Sequence, residues 1–127
     1  MSFQKHILCV DDDKDSCELI SFMLKSASAD FEVSAVNTST EAIKQISGDS
    51  YDLYILDYRL PGMSGIELCR LIREKDAETP ILFFSAMAFE KDRQMALEAG
   101  ASAYLVKPND VGIFTETVEK LLKSEKS

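Results

Sequence analysis

Five polar residues with the chemistry of a metal and phosphate site are spread over most of this 127-residue chain. The pair Asp11 and Asp12, and then Asp57, Ser85 and Lys107, each follow a short apolar segment of the kind that forms a β-strand. The carboxyl ends of parallel strands share one edge of an open sheet, and ligands bind outside that edge. The sequence therefore predicts that three carboxylates, a hydroxyl and an ammonium group converge there.

A cluster of three carboxylates favours a bound cation. At a separation of about 5 Å and an effective dielectric constant of about 20, two carboxylates repel each other by about 3 kcal/mol. Asp11, Asp12 and Asp57 offer hard oxygen ligands with no histidine or cysteine among them, which indicates Mg²⁺ or Mn²⁺. Magnesium usually binds one or two carboxylates and completes its shell with water and phosphate oxygens. The cluster thus predicts a site that also receives a phosphoryl group.

Asp57 is the side chain best placed to react with that group. It ends the predicted central strand, with the acidic pair on one side and Ser85 and Lys107 on the other. A carboxylate can act as the nucleophile in phosphoryl transfer and give an aspartyl-phosphate. We expect Lys107 to pair with Asp57 at rest and with a phosphoryl oxygen afterwards, while Ser85 donates a hydrogen bond to another oxygen.

Alternating apolar segments and helical patterns supply the framework for these residues. Strands are predicted at 6–10, 31–36, 53–56, 81–84 and 103–106. The first helix is predicted at about 13–27, and capping boxes at Thr38/Glu41 and Ser64/Glu67 start the second and third. The fourth is predicted at about 90–99, with Gly100 after its end. The last is predicted from an apolar stripe of Val111, Phe114, Val118, Leu121 and Leu122. This order predicts an α/β fold, a doubly wound five-stranded parallel sheet of order 2-1-3-4-5 with flavodoxin-like (βα)5 architecture.

Composition and charge narrow the class of protein. The 46% of hydrophobic residues predicts one globular domain over 1–127, with a core at about 5–123 and a frayed polar tail. A net charge of −8 disfavours direct binding to nucleic acid or to an anionic membrane. No apolar segment is long enough to span a bilayer, and no signal peptide precedes the first strand. We interpret the three cysteines as buried reduced thiols and His6 as structural, and we expect a cytoplasmic protein.

Each candidate residue also has a simpler interpretation when it is taken alone. Aspartates that follow strands often cap helices, which is the interpretation that we favour for Asp13. Ser85 alone would be a turn residue, Lys107 a surface lysine and Tyr104 a packing residue. The functional interpretation is favoured because four strands end in side chains that suit one site.

Other motifs that these residues suggest fit less well. A calcium-binding EF-hand loop starting at Asp11 would need Gly and Glu where Ser16 and Phe22 stand. The haloacid dehalogenase phosphatases also use an aspartyl-phosphate, but they need a second aspartate pair and a cap. A flavodoxin would bind FMN through a Ser/Thr/Gly loop after strand 1, whereas the loop here is acidic and would repel phosphate.

At this point the sequence resembles the receiver domain of the two-component response regulators, in particular the chemotaxis regulators. The resemblance covers about residues 5–123. It is carried by four motifs, which are ILCVDD at 7–12, LDYRLPGMSGIE at 56–67, FSA at 84–86 and GASAYLVKP at 100–108. The fold of that family agrees with the doubly wound sheet predicted above.

The resemblance implies roles for the acidic residues. Asp57 matches the phosphoacceptor of the family. Asp11 and Asp12 match the acidic pair that holds Mg²⁺, with Asp12 favoured as the direct ligand. Asp57 itself and the backbone carbonyl of Arg59 match the other metal ligands.

The resemblance also implies roles for the residues that respond to phosphorylation. Ser85 matches the switch hydroxyl, Tyr104 the aromatic switch residue that fills the space left when Ser85 moves, and Lys107 the invariant lysine. A cis Lys107–Pro108 bond is expected. The sequence departs from the family at Asn109, where Phe is common, so we expect a local change in the last loop.

The function implied is that of a phosphorylation-dependent switch rather than an enzyme, since the domain would catalyse only its own phosphorylation and dephosphorylation. The donor would be a sensor histidine kinase or a histidine phosphotransfer protein. A downstream protein would read the face built from helix 4, strand 5 and helix 5, and a phosphorylation-dependent homodimer stays open.

Arg59 and Met87 flank the expected path of attacking water, so the lifetime of the phosphorylated state is not predicted. The rivals are a phosphorylation-independent docking module and a small Mg²⁺-dependent phosphatase.

Overall fold

The computed structural model describes residues 4–124, in which strands and helices alternate as the sequence predicts. The strands are β1 (Lys5–Val10), β2 (Phe31–Val36), β3 (Leu53–Leu56), β4 (Ile81–Ser85) and β5 (Ala103–Val106). The helices are α1 (Lys14–Ala27), α2 (Ser39–Gly48), α3 (Gly65–Lys75), α4 (Glu90–Glu98) and α5 (Phe114–Ser124). The frayed tail was predicted to begin at Lys123, but Lys123 and Ser124 belong to α5, and the rest of the tail, from residue 125 on, lies outside the described residues.

The five strands form one parallel sheet in the order β2-β1-β3-β4-β5, which confirms the predicted topology. Val10 at the end of β1 lies opposite Leu56 at the end of β3. The chain therefore leaves these two neighbouring strands at the same level, and this alignment brings Asp11 and Asp57 side by side at the carboxyl edge.

Two separate apolar clusters cover the two faces of the sheet. Alternate residues of one strand belong to opposite clusters, so that Phe83 packs with residues of α3 and α4 while Phe84 packs with residues of α1 and α5. This arrangement explains why β1, β3 and β4 are nearly continuous apolar segments, since helices bury both of their faces. Among residues 4–124, no helix combines the length and apolar character that crossing a membrane requires.

One of the two predicted capping boxes forms completely. Ser64 Oγ accepts a hydrogen bond from the Glu67 amide, and the Glu67 carboxylate accepts one from the Ser64 amide. At α2 the prediction is half wrong. Thr38 Oγ1 accepts from the Glu41 amide, but the Glu41 carboxylate accepts from Asn37, one residue before the cap. The exposed glutamate reaches the preceding amide because that donor also lacks a helical partner.

The ends of α1 and α4 form as the sequence predicts, whereas the last helix differs from its prediction. Asp13 caps α1 through the Asp15 amide, as expected. Gly100 follows the end of α4 with φ of +115°, a conformation that glycine adopts without strain. The last helix is split, because the chain forms a short 3-10 turn at Val111–Ile113 before α5 begins.

The three cysteines are buried and free, and the histidine makes local contacts within the fold. His6 Nε2 lies 3.0 Å from Ser34 Oγ, and its ring packs on Tyr51 with a centroid separation of 4.4 Å. These contacts join β1 to β2 and to the loop before β3.

Arg73 joins two loops at the end of the sheet remote from the acidic cluster. Its guanidinium donates to the carbonyls of Gly100, Asp76 and Thr79 at 2.9, 3.0 and 2.7 Å. We expect Arg73→Lys to lower the free energy of unfolding by about 1–3 kcal/mol, because one ammonium group cannot replace the planar fork of donors. Urea unfolding measures the change, with Arg70→Lys on the exposed side of α3 as the matched control. Equal midpoints for the two variants would contradict this prediction.

Candidate functional site

The three carboxylates predicted to cluster lie together at the carboxyl edge of the sheet. Asp11, Asp12 and Asp57 each present an oxygen within 4.8 Å of the others. The Asp57 amide donates to the carbonyl of Val10 at 2.9 Å, which holds the residue after β3 against the end of β1. The arrangement suits a divalent cation, because it offers oxygen ligands from three side chains to one point.

The three carboxylates differ in their surroundings. Asp11 is 1% exposed and its Oδ1 accepts from the Asp13 amide at 2.9 Å. Asp12 is exposed to solvent. The Asp57 side chain is 14% exposed, and its Oδ1 accepts from the Tyr58 amide at 2.8 Å. Asp57 is therefore held in place by the backbone while part of its carboxylate stays accessible.

Lys107 pairs first with Asp11. Its Nζ lies 2.5 Å from Asp11 Oδ2, 3.4 Å from Ser16 Oγ and 3.9 Å from Asp57 Oδ2. The expected Lys107–Asp57 pair is thus present at the longer distance, and the shorter contact, with Asp11, was not predicted. Asp11 is the more buried carboxylate and has less water to stabilise its charge, so it takes the direct ion pair. Burial lowers the pKa of Lys107, but the hydrogen bond to Asp11 and the charge of Asp57 raise it above its ordinary value.

The carboxyl group of Asp57 has a pKa raised from 3.8 to about 6. Burial is the main cause, the positive charge of Lys107 lowers the pKa, and the negative charge of Asp11 raises it again. A carboxylate with this pKa is mostly ionised at neutral pH but poorly compensated. It would gain from any cation that binds beside it.

Ser85 and Tyr104 lie next to this cluster in a linked arrangement. Ser85 ends β4, is 1% exposed, and accepts a hydrogen bond from the Met87 amide at 3.2 Å. Tyr104 is 9% exposed, stacks on Phe83 and donates its hydroxyl proton to the Met87 carbonyl at 2.7 Å. The movement of Tyr104 that the resemblance implies after phosphorylation stays a prediction. The two residues hold the loop after β4 from both sides.

An open cavity collects nearly all of the residues that the sequence singles out. The Lys107–Pro108 bond is cis, as expected. The lining comprises the carboxylates with the lysine and serine that face them, and also four loop residues and a residue of α1, namely Asp11, Asp12, Asp13, Ser16, Asp57, Arg59, Ser85, Ala86, Met87 and Lys107. Arg59 and Met87 are among these lining residues, and their effect on an attacking water stays a prediction.

Two residues that hold this site were not found from the sequence. Asn37 donates from Nδ2 to the Asp11 carbonyl at 2.9 Å, and its place after β2, at the same sheet edge, was the available signal. Gly65 begins α3 with its amide bonded to the Tyr58 carbonyl at 2.9 Å. A Cβ atom at Gly65 would lie 2.1 Å from the carbonyl oxygen of Asp57. That close approach has no signal in one sequence beyond a glycine after a helix cap.

Comparison with known proteins agrees with this geometry. The family model for the response regulator receiver domain matches residues 7–119. The regulatory protein VanRB of Enterococcus faecalis is 38% identical over 117 residues, which cover 92% of this chain and 52% of that protein. The chain thus spans about half the length of this curated relative.

Solved structures are similar over almost the whole chain. A two-component response regulator from Clostridium difficile has 29% identity and a TM-score of 0.90, covering 98% of this chain and 100% of that one. The response regulator TrrA from Thermotoga maritima, in complex with Mg²⁺-BeF, has 33% identity and a TM-score of 0.82, covering 93% and 99%.

Proposed function

Because this chain belongs to the response regulator receiver domain family, whose members act in phosphorelay signalling, we propose that Asp57 is its phosphoacceptor. The observation that carries the proposal is the accessible Asp57 carboxylate, held by backbone hydrogen bonds beside two further carboxylates and Lys107. The chain is a signalling domain, and any catalysis would be limited to its own phosphorylation and dephosphorylation.

In the proposed transfer an Asp57 oxygen forms a bond to phosphorus while the N–P bond of a phosphohistidine breaks. The electron pair of that bond returns to the donor imidazole, which takes up a proton, and an aspartyl-phosphate results. Lys107, 3.9 Å from Asp57 Oδ2, stabilises the negative charge of the phosphoryl oxygens. Ser85 donates its hydroxyl proton to one of these oxygens, which is open to it because its present contact with the Met87 amide uses only its oxygen, as an acceptor.

The residues at this site fit Mg²⁺ as the bound cation. Asp11, Asp12 and Asp57 would supply carboxylate oxygens, and the Arg59 carbonyl is the further ligand that the family resemblance implies. A bound magnesium ion would offset the charge of the carboxylates and of the phosphoryl oxygens. The beryllofluoride complex of TrrA, which contains Mg²⁺, supports this assignment by similarity.

The proposed partners are a sensor histidine kinase or a histidine phosphotransfer protein as donor, and a downstream protein that reads α4, β5 and α5. We place the proposed relay in the cytoplasm. Tyr104 connects the site to this face, because it lies on β5 and binds the Met87 carbonyl in the loop that leads to α4. The activity of any longer protein that contains this domain, including dimerisation on phosphorylation, belongs to the same proposal.

Acetyl phosphate provides the direct test of phosphoacceptor function. Incubation with acetyl phosphate and Mg²⁺, followed by intact mass measurement, should give a product heavier by one phosphoryl group. A phosphatase that acts on outside substrates would consume acetyl phosphate without accumulating this product. A docking module would remain unchanged in mass, and either result would contradict the proposal.

Magnesium is expected to raise the melting temperature of the protein. A ligand at ten times its dissociation constant stabilises the folded state by about 1.4 kcal/mol, provided that it does not bind the unfolded chain. Melting should be compared in chelator and in Mg²⁺ at increasing concentration. Asp12→Asn, which changes the most exposed carboxylate of the cluster, should lose most of the shift, whereas Asp30→Asn, in the turn before β2, should keep it. Equal shifts in both variants would contradict the proposed metal site.

A further inference from the structure

A buried carboxylate on α4 has an oxygen without a hydrogen-bond partner. Of the buried side-chain nitrogen and oxygen atoms in residues 4–124, Asp92 Oδ2 is the one for which the structure gives no hydrogen bond. Asp92 is 8% exposed. A buried polar atom without a partner is unfavourable, and in a native protein it calls for a functional or structural explanation.

Two tyrosine hydroxyls lie within the electrostatic reach of this carboxylate. The pKa of Tyr58 is raised first by burial, then by the charge of Asp92 and by a side-chain hydrogen-bonding interaction with it, so the Tyr58 hydroxyl already lies close to this carboxylate. The pKa of Tyr104 is raised to about 12, mainly by burial, with Asp92 again among the charges that raise it. Tyr104 already donates to the Met87 carbonyl at 2.7 Å. Of the two hydroxyls, that of Tyr58 therefore donates the weaker hydrogen bond in this structure.

The present partner of the Tyr58 hydroxyl is a poor acceptor on the same helix. It donates to Met95 Sδ at 3.7 Å, one turn along α4 from Asp92. A thioether sulfur is a weak acceptor, whereas a hydrogen bond to a carboxylate is among the stronger ones. A small rotation of the Tyr58 side chain would exchange the weak bond for a strong one and would satisfy Asp92 Oδ2.

Tyr58 is also tied directly to the proposed phosphoacceptor. Its amide donates to Asp57 Oδ1 at 2.8 Å, and its ring packs edge-on against Phe83 in the core. Attachment of a phosphoryl group turns the Asp57 carboxylate into an acyl phosphate, whose oxygens are weaker acceptors for this amide. The position of Tyr58 therefore depends on the chemical state of Asp57.

Helix α4 is held loosely enough to respond. Its buried residues are Asp92 and Ala96, and its N-cap residue Phe89 makes no side-chain cap. The amides of Asp92 and Arg93 both donate to the Phe89 carbonyl, at 3.0 and 3.2 Å. One strong hydrogen bond to Asp92 would thus be a large part of the anchoring of this first turn.

We propose that Asp92 is a positioning residue that accepts the Tyr58 hydroxyl when Asp57 is phosphorylated and thereby fixes the first turn of α4. The inference rests on the proposed function of Asp57. It assigns the link between the modified residue and α4 to the Tyr58–Asp92 contact. In this structure Asp92 Oδ2 makes no hydrogen bond, so loss of the Asp92 carboxylate should lower stability no more than loss of the Glu90 charge in the same helix turn does.

Hydrogen exchange of the α4 amides tests this link. Beryllofluoride with Mg²⁺ serves as the stable substitute for the phosphoryl group, and acetyl phosphate with intact mass measurement reports phosphorylation separately. In the native protein, beryllofluoride should slow exchange in the first turn of α4 by about five-fold or more. Tyr58→Phe and Asp92→Ala should each lose most of this slowing, and the double variant should lose no more than either one. Asp92→Asn keeps an acceptor oxygen and should retain part of the response.

Matched controls separate this role from simpler ones. Tyr51→Phe removes a hydroxyl that binds Gln45 at the other end of the sheet, and Glu90→Gln removes an exposed negative charge from the same helix turn. Both should respond to beryllofluoride as the native protein does. A purely structural role for Asp92 predicts that Asp92→Ala melts well below Glu90→Gln without beryllofluoride, and that result would overturn the inference.

Two further outcomes are decisive. If Tyr58→Phe or Asp92→Ala is phosphorylated and its α4 amides still respond fully, the inference is wrong while the proposed function stands. If the native protein takes up no phosphoryl group from acetyl phosphate, the proposed function fails and the inference fails with it.

Discussion

Asp57→Asn is expected to abolish the phosphorylated product that the native protein forms with acetyl phosphate and Mg²⁺. An amide keeps the shape of the side chain and can still accept the Tyr58 amide hydrogen, but its oxygen is not a nucleophile for phosphorus. Intact mass measurement should therefore detect no added phosphoryl group, even after long incubation. A product of the same mass shift in this variant would mean that another side chain accepts the group.

The same substitution should stabilise the protein in chelator at neutral pH. The pKa of Asp57 is raised from 3.8 to about 6 in the folded state, so the folded state binds a proton more tightly than the unfolded chain. Stability is therefore lost as the pH rises from about 4 to about 6 and stays lower above that range. The shift corresponds to about 3 kcal/mol as an upper limit. The advantage of Asn over Asp should approach this limit at pH 8 and vanish below pH 4.

Asp13→Asn is the matched control for both measurements. Asp13 lies at the same edge of the sheet, but its side chain caps α1 through the Asp15 amide, a role that Asn fills equally well. The control should be phosphorylated normally and should show no pH-dependent gain in stability. If chelator-treated Asp57→Asn instead melts below the native protein at pH 8, the Asp57 carboxylate is not destabilised in the folded state as its raised pKa implies.

Gly65→Ala is the second substitution with a large expected effect. The new Cβ would lie 2.1 Å from the Asp57 carbonyl oxygen and 3.1 Å from the Phe83 ring, so the backbone that carries Asp57 must move. Such overpacking lowers the free energy of unfolding by about 1–3 kcal/mol. A displacement of about 1 Å at a reacting group can slow a reaction about 100-fold. We expect a comparable loss in the rate of phosphorylation by acetyl phosphate.

Gly48→Ala separates this steric effect from the general effect of replacing glycine in a helix. Gly48 is the last residue of α2, and a Cβ atom there would have no neighbour within 4 Å. This variant should be unchanged or more stable by up to about 1 kcal/mol, because alanine loses less backbone entropy on folding. Urea unfolding and initial phosphorylation rates compare the two variants. Similar behaviour would show that the close approach at Gly65 is easily relieved.

The positions of the candidate residues could be predicted because they depend on topology alone. Apolar segments of strand length, separated by helical patterns, leave few ways to order a parallel sheet. Once β1 and β3 are neighbours, Asp11 and Asp57 must leave the sheet together. The side chains that follow β4 and β5 reach the same edge for the same reason. Predicting these positions requires only the strand order, and no distance shorter than the spacing between neighbouring strands.

The details that the sequence did not reveal depend on such short distances. The choice of Lys107 between Asp11 and Asp57 is decided by about an ångström of placement and by the greater burial of Asp11. The contact of Gly65 with the Asp57 carbonyl depends on how closely α3 approaches the end of β3. The partnerless Asp92 oxygen was missed because an acidic residue in the first turn of a helix is usually explained by the helix dipole.

The separation of the interior into two clusters has a consequence for how such a domain diverges. The sheet backbone stands between the clusters, so side-chain volumes on the α1–α5 side can be exchanged without repacking the side that α2, α3 and α4 cover. One surface can therefore acquire a new binding specificity while the opposite surface keeps its old one. The two sides meet at the acidic edge, so substitutions there are constrained whichever side is diverging.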